Sequence, residues 1–216
     1  MIKAVIFDMD GVLLDTEKHF TKAWIEAAKD CGIDYFTPEL SLRLRSVSSV
    51  FAEPLTKELY GEDFPFQEIR MKRREKMKER LKKYGLEKKA GVEAALKELK
   101  EKGYKIAVAT ASDYERASAS LKEVGLFDYF GEDSILCATE VEYGKPYPDV
   151  YLAACKALGE RPEDCIAVED SPCGVTSAYR AGMKVFMIPD LTQPDEKTME
   201  MLTGKADSMQ KLAEML

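Results

Sequence analysis

Histidine is nearly absent from this sequence, since His19 is the only one among 216 residues. A Ser-His-Asp triad, a histidine-rich zinc site and a phosphohistidine would each depend on that single side chain. Carboxylates must therefore do most of any acid–base or nucleophilic work. We expect His19 itself to lie on the surface of a helix.

The cysteines lack any pairing pattern. There are five of them, an odd number, and no two form a C-x-x-C pair. This usage argues against a disulfide framework and against the common structural zinc sites. We therefore expect reduced thiols and a cytoplasmic protein.

Long apolar runs and an excess of basic charge are also missing. No run approaches the roughly 20 residues that span a bilayer, and the stretch from Met1 to Phe7 is too short for a secretory signal. The formal net charge of −7 disfavours nucleic acid, because phosphate backbones select basic surfaces. We expect no membrane and no nucleic-acid partner, and we take a monomer as the default.

Short apolar runs alternate with amphipathic helical stretches along most of the chain. Five runs have the length and composition of buried strands: Ala4–Phe7, Ile106–Ala109, Ile135–Ala138, Ile166–Val168 and Val185–Ile188. Helical stretches separate the later runs, and glycines follow them at stop positions. The alternation predicts an α/β fold, with a Rossmann-like parallel sheet core and helices on both faces.

The segment from residue 15 to residue 85 shows no strand-like alternation. It contains four candidate helices: Thr16–Asp30, Pro38–Leu44, Val50–Tyr60 and Phe66–Tyr84. We predict an α/β core domain of residues 1–14 and 86–216, interrupted by a helical cap domain of residues 15–85. Most of the basic charge in residues 70–89 is expected to be a solvated helix face, with one or two bases reaching an anionic substrate.

Polar groups follow four of the apolar runs. Asp8-Met9-Asp10-Gly11 follows the first, Thr110-Ala111-Ser112 the second, Gly144-Lys145-Pro146 comes after the third, and Glu169-Asp170-Ser171 ends the fourth. Ligands of open parallel sheets bind beyond the carboxyl ends of the strands, where the strand order switches. We therefore expect these four groups to gather at one edge of the sheet.

The clustered carboxylates predict a metal site. Asp8 and Asp10 straddle the end of one strand and Asp170 arrives from another. Carboxylates this close raise one another's pKa unless a cation lies among them. Oxygen ligands suit Mg²⁺, particularly when a phosphate oxygen completes the coordination.

The remaining polar groups suit a phosphoryl group. Lys145 and Thr110 offer donors to phosphate oxygens, and Gly11 lets the backbone N–H groups approach an anion. A carboxylate such as Asp8 is a competent nucleophile toward phosphorus. Asp10 is placed to protonate the leaving oxygen and then to activate the incoming water or hydroxyl.

These motifs resemble those of the haloacid dehalogenase superfamily, most closely its branch of β-phosphoglucomutases and small sugar-phosphate phosphatases. The resemblance rests on Asp8-x-Asp10-Gly11-Val12 with Asp15-Thr16-Glu17, Thr110-x-Ser112, Gly144-Lys145-Pro146 and Glu169-Asp170-Ser171-x-x-Gly174. It covers the whole chain in the same order, including the helical insertion. It implies transfer of a phosphoryl group through a phospho-aspartate, with Mg²⁺ as the cofactor.

The resemblance also implies a role for each matching residue. Asp8 would be the nucleophile and a metal ligand, and Asp10 the acid/base and a ligand through its backbone carbonyl. Asp170 would bind Mg²⁺ directly, whereas Glu169 would either bind it or support the residues that do. Thr110 and Lys145 would hold the transferring phosphoryl group. Other residues expected to contact the substrate or its phosphate are Gly11, Thr16, Arg45, Ser49, Lys76, Ala111 and Ser112.

The cap residues favour a phosphatase over a mutase. A mutase must hold a distal phosphate in the cap; Arg45 suits such a site, but Ser49 stands where the resemblance implies a second arginine. Lys76 or Arg73 would have to compensate. The resemblance also implies a histidine that contacts Asp10, and Phe20 stands in its place.

We therefore predict a phosphatase acting on a small phosphorylated metabolite, such as a sugar or polyol phosphate. The alternative is a β-phosphoglucomutase, which would use the same Asp8. A third, less favoured reading is a non-catalytic binding module on the same fold.

Overall fold

Six parallel strands form one sheet in the computed structural model, which describes every residue from Met1 to Leu216. The strands are β1 (Ala4–Phe7), β2 (Lys105–Thr110), β3 (Ile135–Cys137), β4 (Cys165–Glu169), β5 (Lys184–Met187) and β6 (Gly204–Lys205). Their order in the sheet is β3-β2-β1-β4-β5-β6. The chain therefore changes direction across the sheet between β1 and β4, and a ligand crevice is expected at that point.

The central strand β1 is buried on both faces. Val5 and Phe7 belong to one apolar cluster, and Ala4 and Ile6 belong to another on the opposite face. This alternation follows from the two-residue period of a strand, and a strand covered on both sides needs the continuous apolar run seen here. The predicted fold class, a parallel sheet with helices on both faces, is confirmed.

Seven helices belong to this sheet domain. They are α5 (Val92–Glu101), α6 (Tyr114–Glu123), α7 (Phe127–Phe130), α8 (Asp149–Leu158), α9 (Pro172–Arg180), α10 (Glu196–Met201) and α11 (Met209–Met215). Residues of α5, α6 and α11 cover one face of the sheet, and residues of α8 and α9 cover the other. Short 3₁₀ turns occur at Glu132–Ser134, Ala138–Glu140 and Pro162–Asp164.

Four further helices form the helical insert between β1 and α5. They are α1 (Glu17–Asp30), α2 (Pro38–Arg43), α3 (Ser49–Tyr60) and α4 (Phe66–Tyr84). The insert has an apolar cluster of its own, in which the Trp24 ring stacks on Phe36 and Phe66 at centroid distances of 5.8 and 6.0 Å. The limits of a cap domain at residues 15 and 85 stay a prediction.

The two chain segments that join the insert to the sheet run side by side. The Asp15 N–H donates to the Glu87 carbonyl at 2.9 Å, and the Lys89 N–H donates to the Leu13 carbonyl at 2.9 Å. The insert therefore leaves and rejoins the sheet domain at one place, beside the carboxyl end of β1.

Strand β6 is not among the five strands that the sequence pattern predicts. The strand has only two residues, too few to show an alternation. A side chain at Gly204 would place its Cβ 2.7 Å from the Phe186 ring, so the glycine is required for close packing against β5. No helix of the protein is long and apolar enough to cross a bilayer.

Candidate active site

The carboxyl end of the sheet brings together residues from distant parts of the chain. Asp8 directly follows β1, and its N–H continues the sheet by donating to the Val168 carbonyl at 2.9 Å. Thr110 ends β2, Glu169 ends β4, and Lys145 comes from the loop before α8. The expected gathering of the four polar groups at one edge is what the structure shows.

Lys145 is the buried cation of this site. It is fully buried, and its Nζ donates to Asp8 Oδ1 at 2.8 Å and to Glu169 Oε1 at 2.6 Å. Burial opposes its charge, but the two carboxylates raise the pKa of Lys145 above its ordinary value, so the ammonium stays protonated. Burial raises the pKa of Asp8 to about 7, although Lys145 acts in the other direction.

Glu169, which accepts from Lys145, also accepts hydrogen bonds from three other donors. Its Oε1 also accepts from the Tyr151 hydroxyl at 2.7 Å, and its Oε2 accepts from the Asp170 N–H at 3.1 Å and the Ser171 hydroxyl at 3.3 Å. A carboxylate has about four acceptor positions, and four donors fill them here. This arrangement favours the supporting role for Glu169 over direct metal ligation.

An acidic cluster beside Lys145 fits a divalent cation. Oxygen atoms of Asp8, Glu169 and Asp170 lie within 4.8 Å of one another, and all three residues are buried. Neither carboxylate oxygen of Asp170 has a hydrogen-bond donor, and burial raises the pKa of Asp170. Because unpaired buried carboxylates are costly, Asp8 and Asp170 are the residues suited to hold the cation.

Gly11 makes room for the Asp170 carboxylate. A Cβ at this position would lie 1.9 Å from Asp170 Oδ2, and the φ angle of +86° also favours glycine. The Gly11 N–H donates to the Leu14 carbonyl at 2.8 Å. The Gly11 N–H is therefore used within its own turn, and the expected contact of this turn with a phosphate stays a prediction.

Asp10 is held by four donors at the edge of the site. Arg116 Nη2 lies 2.7 Å from Asp10 Oδ1 and Arg116 Nη1 lies 2.9 Å from Oδ2. Thr16 Oγ1 donates to Oδ1 at 2.6 Å and Ser112 Oγ donates to Oδ2 at 3.4 Å. Burial alone would raise the pKa of Asp10, but the Arg116 charge and these hydrogen bonds hold it below its ordinary value.

Two residues expected to contact the substrate phosphate belong instead to this group around Asp10. Thr16 is fully buried and its hydroxyl is used by Asp10. Ser112 accepts a hydrogen bond from Arg116 and donates to Asp10. Arg116 was not found from the sequence, because an arginine in the first turn of a helix is ordinary and only the tertiary fold brings it to Asp10.

The aromatic residue expected in place of a histidine lies over Arg116. The Phe20 ring centroid is 5.0 Å from the Arg116 guanidinium carbon, and the Arg73 guanidinium carbon is 5.1 Å from the same ring. His19 stacks instead on Tyr84 at 5.8 Å and is absent from the donors to Asp10. It is also buried, so the expected surface position was wrong.

A cavity of about 680 Å³ separates the sheet edge from the insert. Its lining residues from the sheet domain include Asp8, Asp10, Thr110, Ala111 and Ser112, and those from the insert include Arg45, Ser49, Arg70, Arg73, Arg74 and Lys78. Lys145, Glu169 and Asp170 lie beneath its floor, fully buried.

Arg45 reaches the acidic cluster from the insert. Its Nη2 donates to the Asp170 backbone carbonyl and lies 3.5 Å from Asp170 Oδ2. The guanidinium is buried and lies beside Asp170, one of the two residues suited to hold the cation.

Lys76 lies outside the cavity, contrary to its expected substrate contact. Its Nζ pairs with Asp30 Oδ2 at 2.9 Å on the outer side of α4. Lys72 and Arg80 are likewise paired, with Glu68 and Glu26. The bases of α4 that line the cavity are Arg70, Arg73, Arg74 and Lys78, and none of them has a carboxylate within 4.0 Å.

The sequence of this chain is similar to the sequences of known proteins. Residues 2–182 match the model of the haloacid dehalogenase-like hydrolase family. A "Phosphorylated carbohydrates phosphatase" of Thermotoga maritima is 34% identical over 85% of this chain and 83% of its own length. A "Beta-phosphoglucomutase" of Bacillus subtilis is 31% identical over 84% of this chain and 81% of its own length.

A solved structure supports the same relationship. A β-phosphoglucomutase of Clostridium difficile superposes with a TM-score of 0.78 and 25% identity, covering 98% of this chain and 93% of that one. The relatives are thus named as phosphatases and phosphoglucomutases, two kinds of enzyme that act on phosphoryl groups.

Proposed function

The chain belongs to the haloacid dehalogenase-like hydrolase family, and on that premise we propose that it is a Mg²⁺-dependent phosphatase of a small sugar or polyol phosphate. One observation carries the proposal: Asp8 lies at the floor of the cavity, close to both Lys145 and the carboxylate of Asp170, whose oxygens accept no hydrogen bond. The name of the Thermotoga relative supports a phosphorylated carbohydrate as the substrate class.

In the first half-reaction the Asp8 carboxylate attacks phosphorus. A bond forms between an Asp8 oxygen and phosphorus, while the bond from phosphorus to the substrate oxygen breaks. Lys145, whose pKa is raised by Asp8 and Glu169, keeps a positive charge beside the transferring group. Bound Mg²⁺, held by Asp8 and Asp170, would supply further neutralisation of phosphate charge.

Asp10 would handle the proton in both half-reactions. Protonated Asp10 gives its proton to the leaving oxygen, and ionised Asp10 then takes a proton from the water that attacks the phospho-aspartate. In the structure, Arg116 and the hydrogen-bond donors around Asp10 hold the pKa of Asp10 below its ordinary value. An arriving phosphate brings negative charge close to Asp10, which raises the pKa of a carboxyl group and favours the protonated form.

The proposal is tested by phosphate release from a panel of sugar and polyol phosphates, with Mg²⁺ and with a chelator. We expect release only with Mg²⁺. An acid-quenched sample should carry one phosphoryl group on the peptide that contains Asp8, and Asp8→Asn should carry none. Turnover with a phosphoryl group on another residue, or release that persists with the chelator, would contradict the mechanism.

A β-phosphoglucomutase is the second candidate, and the unpaired bases of α4 favour it. Arg70, Arg73, Arg74 and Lys78 face the cavity without acidic partners, so they are available to a second phosphate. Incubation with β-glucose 1-phosphate, Mg²⁺ and a trace of glucose 1,6-bisphosphate separates the two functions. Glucose 6-phosphate without free phosphate indicates the mutase, whereas free phosphate alone indicates the phosphatase.

A further inference from the structure

The Asp10 carboxylate has no free acceptor position in this structure. Two oxygens offer about four acceptor positions, and the four donors are the two Arg116 nitrogens and the hydroxyls of Thr16 and Ser112. Three of these contacts are 2.9 Å or shorter, whereas the Ser112 contact is 3.4 Å. The two Arg116 contacts and the Thr16 contact therefore fix the Asp10 carboxylate more closely than the Ser112 contact does.

Arg116 is itself held from three directions. Its backbone N–H donates to the Asp113 carboxylate at 2.9 Å, which caps the start of α6. Its guanidinium also donates to Ser112 Oγ, and the Phe20 ring covers its face at 5.0 Å. A planar guanidinium that is fixed in this way fixes the plane of the carboxylate with which it makes two parallel bonds.

We propose that Arg116 is the positioning residue of Asp10, fixing the plane and direction of its carboxylate through a two-point ion pair. Phe20 completes the arrangement from the helical insert, since it covers the ion pair when the insert lies over the sheet. The proposal rests on the proposed function, in which Asp10 protonates the leaving oxygen. The proposal gives Arg116 of α6, a residue outside the sequence motifs, a role in proton transfer by Asp10.

The leaving-group dependence of the first half-reaction tests this role. We would measure kcat/KM with Mg²⁺ for phenyl phosphate and p-nitrophenyl phosphate, because the poorer phenyl leaving group depends more on proton donation. Arg116→Gln should lower kcat/KM for phenyl phosphate about tenfold more than for p-nitrophenyl phosphate. Arg116→Lys, which keeps the charge but not the two-point geometry, should recover only part of that difference.

A matched control lies on the same helix. Lys122 is exposed on α6, and Lys122→Gln should leave both values as in the unchanged protein. Equal losses for the two esters, a rise in KM alone, or faster turnover of Arg116→Gln would each overturn the positioning role. The second of these would make Arg116 a substrate-binding group, and the third would make the ion pair an inhibitory contact.

A measurement without substrate separates this inference from the proposed function. If the unchanged protein releases no phosphate from either ester or from the metabolite panel, the proposed function fails. Urea unfolding of Asp10→Asn, Arg116→Gln and the double variant then still decides whether the pair exists. We expect the midpoint shifts of the single variants to be clearly non-additive, and additive shifts would overturn the pairing.

Discussion

The floor of the cavity and its wall on the insert side differ in how their charges are paired. The wall consists of the bases of α4 that line the cavity, Arg70, Arg73, Arg74 and Lys78. On the floor, Lys145 is fully buried between Asp8 and Glu169, so each of these three charges has a near partner. On the wall, Arg73 and its basic neighbours on α4 line the cavity and form no salt bridge with a carboxylate. Burial and the nearby arginines lower the pKa of Arg73 to about 10. A paired floor is organised before the substrate arrives, whereas an unpaired wall gains its partner from the substrate.

The largest effect is expected from the nucleophile on the floor. Asp8→Asn should abolish Mg²⁺-dependent phosphate release, because an amide cannot form the acyl phosphate. The fold should persist, since the change removes one of several crowded negative charges. Activity and circular dichroism of the same preparation check both points, and activity near that of the unchanged protein would rule out the covalent mechanism.

A large effect is also expected from the floor cation. Lys145→Met should reduce kcat by about 10³-fold and also lower the melting temperature, because Asp8 and Glu169 would be left buried without a counter-charge. Lys76→Met is the control, since Lys76 pairs with Asp30 on the outer side of α4. If a Lys145 variant instead loses affinity for the substrate but keeps kcat, Lys145 acts only in substrate binding, like the bases of the wall.

An intermediate effect is expected at Gly11. Gly11→Ala would put a Cβ 1.9 Å from Asp170 Oδ2 and so displace that carboxylate. We expect the Mg²⁺ concentration needed for half-maximal activity to rise by about 10 to 100-fold. The rise in melting temperature on adding Mg²⁺ should shrink in parallel. An unchanged Mg²⁺ requirement would show that Asp170 does not hold the cation.

The smallest effects should come from the wall. Arg73→Gln should raise KM by about tenfold with little change in kcat, as expected when one charge-assisted contact to a substrate is lost. Lys76→Gln should change neither constant. A fall in kcat for Arg73→Gln that matches the one for Lys145→Met would remove the distinction between wall and floor.

The sequence was more informative about the floor than about the wall for a geometric reason. Asp8, Thr110 and Asp170 sit at the ends of buried apolar runs, and the ends of parallel strands meet wherever the strands lie in the sheet. Their meeting follows from local pattern alone. The edge strand β6, with two residues, shows no such pattern.

The same reasoning does not apply to a helix, because the direction in which a side chain points turns by about 100° with each residue. Arg70, Arg73 and Lys78 lie on the stripe of α4 that faces the cavity, whereas Lys72 and Lys76 lie on the outer stripe. The sequence shows both stripes and contains nothing that says which one faces the sheet. The expectation for Lys76 was wrong for that reason.

The sequence also does not predict which residues of distant helices hold the site carboxylates in place. Tyr151 lies on α8 and Arg116 on α6, and each contacts a site carboxylate only because its helix packs against the sheet. Neither residue belongs to a motif of fixed spacing. The parts of the site that sequence missed are thus side chains that hold the chemically active ones.

The two segments that join the helical insert to the sheet domain lie side by side. This arrangement bears on the size of the substrate that the site can admit. Because the Asp15 N–H already bonds to the Glu87 carbonyl, a short turn joining these segments would close the chain without moving β1. The shortened protein would keep the paired floor and lose the wall. Its site would then be open on the side that the insert lines in the intact chain, and larger phosphorylated molecules could approach Asp8.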